Sequence, residues 1–236
     1  MAAFAFCIRT TLGLVYSDTI LYGVAMSSTT ISAGDLYSFR FRGGRPSLNL
    51  VATVGWRDSE SPIERLRDTT CLARWISAAG LLDYKPSVSE EDLLSARELR
   101  EAIYRIANSV IQRAPAAKKD IGILNRFAAH PTKVPQLSSS GKEISLTVEQ
   151  NTAVIPSTLS EIARDAIQLL GSPTRLRIKR CARPDCTLLF VDESRSGRRR
   201  WCSMLACGNR AKTVAYRRNL SRKTISTQLT QKRIAK

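Results

Sequence analysis

Along most of this chain apolar residues recur at three- and four-residue spacing, and only short stretches alternate, so the pattern predicts a mainly helical protein. Its longest run is Leu93, Leu94, Leu99, Ala102, Ile103, Ile106, Ala107 and Val110, an apolar stripe on one helix that opens at Ser89-Glu90-Glu91-Asp92, a capping-box-like start. A helical region is expected from Ser61-Pro62, with Leu66, Leu72, Trp75 and Ile76 facing the core and Gly80 as its stop. Pro115 restarts a shorter helix through Ile121, Leu124 and Phe127 that ends at His130-Pro131, where His130 reads as a C-terminal cap. A last helix is expected from about Ser157 to Leu170, stopped by Gly171. Ile144, Leu146 and Val148 alternate after Ser138-Ser139-Ser140-Gly141, which predicts a strand paired across a turn. Phe39, Phe41, Leu48 and Leu50 flank Gly43-Gly44-Arg45-Pro46 and read as an extended segment turning through glycines.

These elements lie between about Tyr37 and Gly171. Residues 1–36 are expected to be a poorly ordered leader, and Met26 is an alternative start. The leader is mildly apolar but interrupted by Arg9 and Asp18, too short a run to span a bilayer, and it lacks the basic segment that precedes the apolar run of a signal peptide. Ser172-Pro173 is the expected linker to a module at 172–220, followed by a basic tail at 221–236.

Charge separates these regions. Of the net +17, the stretch from Ser172 to Lys236 holds +15, with eighteen Lys and Arg against three acids, while the preceding 171 residues are close to neutral. Charge packed into one module points to a polyanionic partner, and no amphipathic segment there suits a membrane surface. Inside it, Cys181, Cys186, Cys202 and Cys207 form two C-x4-C pairs separated by fifteen residues. Two such turns supply the four soft ligands of a tetrahedral structural Zn²⁺. Two disulfides would use the same four residues, but nothing else argues for an oxidising compartment, and the odd thiols Cys7 and Cys71 fit a reducing cytoplasm, Cys71 as a buried small residue. The module reads as a knuckle at Cys181–Cys186, a hairpin from the β-prone Thr187–Val191 through Ser194-Arg195-Ser196-Gly197 to Arg200-Trp201-Cys202, and a helix from Ala211 to Leu220. The fold class is therefore α+β, a mainly helical N-terminal domain with a short β-hairpin followed by a small treble-clef-like four-cysteine zinc finger.

Lys179-Arg-Cys-Ala-Arg-Pro-Asp-Cys186, Phe190-Val-Asp192, Arg199-Arg-Trp-Cys-Ser-Met204 and Cys207-Gly-Asn-Arg210 resemble the CGNR zinc finger of a bacterial family of proposed transcription regulators. Phe39-Arg-Phe-Arg-Gly-Gly44, Thr53-Val-Gly-Trp56, Leu72-Ala-Arg-Trp75 and Ala78-Ala-Gly-Leu81 resemble the ABATE domain that usually precedes that finger. The resemblance implies stress-linked transcription regulation by DNA binding, with residues 37–171 as a sensor domain for a small-molecule ligand. One departure bears on that implication. ABATE domains tend to read Leu-Asp-Phe-x-Asn-Thr, and this chain reads Leu48-Asn49-Leu50-Val51-Ala52-Thr53. Asn49 and Thr53 are thus either ligand contacts or groups that cap a turn.

The expected partner is DNA. Arg198, Arg199, Arg200, Arg210, Lys212, Arg217 and Arg218 would meet phosphates, and Asn209, Arg210, Lys212 and Thr213 lie where a helix N-terminus reaches base edges. Asn209 as a helix cap and Arg210 bonded back to the knuckle are the structural alternatives. Trp201 beside a ligand reads as finger core. RNA in place of DNA, or a finger that docks an acidic protein, fits the same charges. Binding two half-sites would need a homodimer, for which the Glu91–Gln112 stripe is a candidate face unless it is core. Catalysis is not expected: four thiolates leave no open zinc position, and the single histidine, His130, lies far away in the chain.

Overall fold

The computed structural model describes residues 37–132, 135–148 and 153–218, with side-chain positions undescribed at Pro135, Leu146, Thr147 and Val148; the expected leader and basic tail lie outside this range. Helix α1, Pro46–Val51, replaces the extended segment expected there. Gly44 turns the chain at φ 79°, Pro46 pre-sets the first helical φ, and Asp165 accepts the Ser47 N–H at 3.0 Å, capping the helix from another element. Because Ser47, Leu48, Leu50 and Val51 are all buried, the Leu48/Leu50 alternation that imitates a strand is the signature of a short helix buried on most sides. Gly43 lies so close to Leu48 that a Cβ would sit 2.7 Å from the leucine Cβ and 2.9 Å from its carbonyl carbon.

Ser61-Pro62 does not open a helix. Val54–Gly55 (β1) pairs antiparallel with Ile63–Glu64 (β2), and helix α2 runs over Thr69–Ala78, capped by Asp68, whose carboxylate accepts the Cys71 N–H at 2.7 Å. Gly80 stops it at φ 70°, as expected. Helix α3, Glu90–Gln112, has the full capping box between Ser89 and Asp92. Its buried face is Leu93, Ala96, Leu99, Arg100, Ala102, Ile103, Ile106 and Ala107, so the stripe is core; Leu94 is 61% exposed. Helix α4, Lys118–Ala128, buries Ile123 and Leu124 and leaves Ile121 outside. His130 does not cap it with its side chain; its N–H closes the last turn on Phe127 O at 3.2 Å.

The hairpin Pro135–Ser140 (β3) and Glu143–Val148 (β4) pairs Leu137 with Leu146 across a turn in which Gly141 has φ 63°. Helix α5, Val154–Gly171, is followed at Ser172-Pro173 by a 3-10 turn, Pro173–Arg177, and strand β5, Ile178–Arg180. β5 pairs with β6, Leu189–Val191, so the knuckle lies inside a hairpin; the expected hairpin from Thr187 to Cys202 does not form. The alternation of β6 gives this small sheet two buried faces: Leu189 and Val191, with Ile178, join the main core of Leu48, Trp75, Leu99, Ile103 and Ile162, while Phe190 joins a second cluster of Ala52, Leu188 and cysteines. Each finger face is thus used, and Val191 N–H donates to Gly43 O at 3.0 Å across the junction.

Candidate zinc centre and nucleic-acid interface

Two turns bring the four thiols together. In the first, Cys186 N–H donates to Arg183 O at 2.9 Å, Arg183 pairs with Asp185 at 2.5 Å, and Cys181 N–H reaches Leu188 O at 3.0 Å. In the second, a π-helical turn at Met204–Gly208, Cys207 N–H donates to Ser203 O at 3.0 Å and Ser203 Oγ accepts the Ala206 N–H at 3.3 Å. Ala182 N–H to Arg200 O at 2.8 Å, and Cys202 N–H to Cys181 Sγ at 3.5 Å, tie one turn to the other. All four sulfurs lie within 4.8 Å of one another, with Cys186 to Cys202 at 3.9 Å and Cys202 to Cys207 at 3.5 Å. A tetrahedron with Zn–S of ~2.3 Å needs sulfurs about 3.8 Å apart. The cysteines are free, and Cys181, Cys202 and Cys207 are buried.

Four thiols this close cannot all ionise by themselves. Hydrogen bonds among them drive the Cys181 pKa down and push Cys202 and Cys207 up. A divalent cation removes that conflict, which is the chemistry of a structural Zn²⁺ site. A zinc bound by four thiolates carries two net negative charges, and the helical body places a cation beside it. Arg65 is 3% exposed, has no carboxylate within ion-pair distance among the described residues and leaves its Nε without a hydrogen-bond partner. Its Nη1 donates to Ala52 O at 3.3 Å, and Ala52 packs in the cysteine cluster. Burial and the nearby Arg40 lower its pKa to about 10, while Glu64 and then Cys186 act in the opposite direction.

A family model described as "Putative stress-induced transcription regulator" (ABATE) matches residues 44–173, and one described as "CGNR zinc finger" matches residues 177–219. The chain belongs to the ABATE family. No curated protein matches it. Within the CGNR finger, Asp192 is the hub of the loop after β6. Wholly buried, it accepts Lys179 Nζ at 2.7 Å and Arg199 N–H at 2.9 Å on one oxygen, Ser194 N–H at 3.1 Å and Ser194 Oγ at 2.6 Å on the other. Burial alone would raise its pKa, but these donors hold it well below the carboxylate range. Spacing marks neither Asp192 nor Arg65 as a site residue; for the first, the signals were its place in Phe190-Val-Asp192 of the finger motif and an acid inside a run of cations.

The basic residues divide into two groups. Arg199, expected at a phosphate, works internally: its Nε donates to Trp201 O at 2.8 Å, its Nη2 to Cys202 O, and its guanidinium lies 4.8 Å from the Phe190 ring centre. Arg199 Nε and Nη2 thus hold the carbonyls at and beside a ligand, an internal role that its place in a run of arginines does not reveal. Arg198 and Arg200 are exposed, Arg200 over the ring of the half-buried Trp201 at 5.2 Å. Helix α6, described over 209–218, starts two residues after Cys207, with Asn209, Arg210, Lys212, Thr213, Arg217 and Arg218 all exposed. Ser203 caps the preceding turn, and Asn209 contributes its carbonyl to Thr213 Oγ1 at 3.0 Å. Arg210 makes no bond back to the knuckle among the described residues. In the ABATE domain Asn49 Oδ1 accepts the Gly43 N–H at 2.9 Å, and Thr53 Oγ1 donates to Leu50 O at 2.7 Å and accepts from Arg100 Nη1 at 3.2 Å. Both positions thus hold the backbone around α1. No described helix is long and apolar enough to cross a membrane.

Proposed function

We propose that this protein is a zinc-dependent, DNA-binding transcription regulator whose CGNR finger docks on the duplex and whose ABATE domain controls that docking. The observation that carries the reading is α6: every residue from 212 to 218 is exposed, three of them are Lys or Arg, and the helix leaves the zinc site with that face open to solvent. A helix so placed has the dimensions to enter a major groove, with Asn209 and Arg210 at the end nearest the bases. Arg198 and Arg200 flank it for phosphates, and Arg199 with Asp192 holds them in place. Zinc supplies order to the two turns and no reaction; the role is binding, since four thiolates complete the tetrahedron.

Fluorescence anisotropy of the zinc-loaded chain on matched duplex DNA and RNA over a salt series tests this. About five phosphate contacts give a slope of log K against log salt of about −4 to −5 on DNA. Arg198→Ala should flatten that slope by about one, and Cys202→Ser should abolish both zinc retention and binding. Preference for RNA, or equal binding by the metal-free chain, would overturn the reading.

A further inference from the structure

Where α3 ends, the helical body and the finger enclose a cleft of about 620 Å³. Arg113 from the end of α3, Arg175 from the 3-10 turn, and Arg198 and Arg200 from the finger loop line it together with the apolar Ile111 and Leu176. No acidic residue lines it. Lys179 and Arg180, which also border it, are neutralised by Asp192 and Asp58. The four arginines just named make no ion pair among the described residues; Arg175 only donates to Ser172 O at 3.0 Å. Uncompensated cations are thus concentrated where the surface is concave.

Arg113 adds an independent observation. It terminates α3 at φ 54°, with Ala114 N–H returning to Ser109 O at 2.9 Å, a closure in which glycine is the unstrained residue. The strained backbone places a guanidinium at the mouth of the cleft, and strain of this kind collects at ligand sites. Leu176, 75% exposed, is an apolar surface without cover in the lining of the same cleft. The volume falls in the range of small-molecule sites, whereas a duplex backbone is a convex surface that would not reach the apolar floor.

We infer that this cleft binds a small organic polyanion of the nucleoside polyphosphate class, its charged end among Arg113, Arg175 and Arg198 and its planar body over Ile111 and Leu176. Charge alone would bind any phosphate, and the apolar floor selects a molecule with a flat ring system. Arg198 and Arg200 belong both to this cleft and to the proposed DNA surface, so an occupied cleft withdraws cations from the duplex and weakens its binding. That consequence rests on the DNA reading; occupancy itself does not.

The test is calorimetric titration of the zinc-loaded full chain with ATP and GTP, beside inorganic triphosphate and AMP. At least one nucleoside triphosphate should bind saturably and about tenfold or more tighter than both inorganic triphosphate and AMP. Arg113→Gly removes the guanidinium and relieves the backbone, so it should weaken that binding about tenfold or more while leaving the melting temperature unchanged or higher. Leu176→Asp, on an exposed position, should weaken it similarly with zinc content intact. No saturable binding below about 1 mM, triphosphate as tight as the nucleotides, or full affinity in both variants would overturn the site. Anisotropy on DNA, measured separately, tells failure of this site from failure of the DNA reading.

Discussion

Replacing Asp192 with asparagine should loosen the loop that carries Arg198 to Arg200. Two oxygens of the buried carboxylate serve four donors, two on each. Asparagine keeps one acceptor oxygen. With that oxygen toward Lys179 and Arg199, its amide faces Ser194, whose hydroxyl can turn to accept, but the Ser194 N–H loses its acceptor. In the opposite orientation a Lys179 ammonium and the Arg199 N–H lose theirs, at greater cost. The first arrangement forfeits one buried backbone bond and the charge assistance of the others, about 3 kcal/mol together. With a urea m value of about 2 kcal/mol/M, the midpoint should fall by about 1.5 M at pH 7 in zinc-buffered solution, with m unchanged. Because the folded pKa of Asp192 is depressed, its contribution is complete above the unfolded value of about 3.9 and is lost as pH falls below it. The difference between wild type and variant should therefore be constant above pH 6. A midpoint shift smaller than roughly 0.3 M, or a gap that grows toward acid, would refute the assignment.

Two further substitutions follow from the finger's surroundings. Arg199→Ala removes two bonds to the Trp201 and Cys202 carbonyls and the contact with Phe190, and should cost about 2 kcal/mol and speed zinc loss to a chelator, while the salt slope of DNA binding stays unchanged. Arg65→Met should lower zinc affinity about tenfold in a chelator competition, since it removes the buried counter-charge beside the thiolates while keeping most of the volume; unaltered affinity would mean that the guanidinium serves only Ala52 O.

The zinc ligands and the helical class were legible because both depend on short-range spacing. Capping by Ser89 and Asp92, and the stop at Gly80, are local chemistry and were readable for the same reason. The α1 segment was misread because its cap, Asp165, is 118 residues from Ser47 and burial on most faces removes the helical period. The helix start was placed at Ser61-Pro62, whereas the sequence signal that governs is Asp68, an N-cap just before Thr69. In the finger, a run of three arginines looks uniform in sequence, yet Arg199 points its donors at carbonyls and its neighbours point theirs at solvent. The carbonyls that take those donors, Trp201 O and Cys202 O, are only two and three residues on, but the turn that aims them at the guanidinium is not written in the spacing. Arg65 was invisible for a similar reason: nothing near it in sequence reveals that its guanidinium reaches Ala52 O, on the residue that packs in the cysteine cluster.

The two-faced β5–β6 sheet determines how metal loss is felt. A free module of about 40 residues could not bury enough apolar surface to fold without its metal. Here Ile178, Leu189 and Val191 are part of the main core, while Phe190, one residue from each of the latter two, packs on the cysteine cluster. Releasing zinc leaves four crowded sulfurs, no longer drawn together by a metal, against Phe190 and Ala52, and Ala52 directly follows α1. The disturbance should therefore pass into the helical body through β6 and the residue after α1, since neither can shift without moving core leucines. Thermal unfolding of the chelated chain should show one lowered transition, coincident in far-ultraviolet dichroism and tryptophan fluorescence. Trp75 and Trp201 report from opposite sides of the sheet and Trp56 is the third tryptophan, so with both Trp56→Phe and Trp201→Phe in place the fluorescence midpoint, then reported by Trp75 alone, should be lowered by the same amount on chelation. A body that melts at its zinc-loaded temperature while the finger alone unravels would show that the shared strand does not carry the coupling.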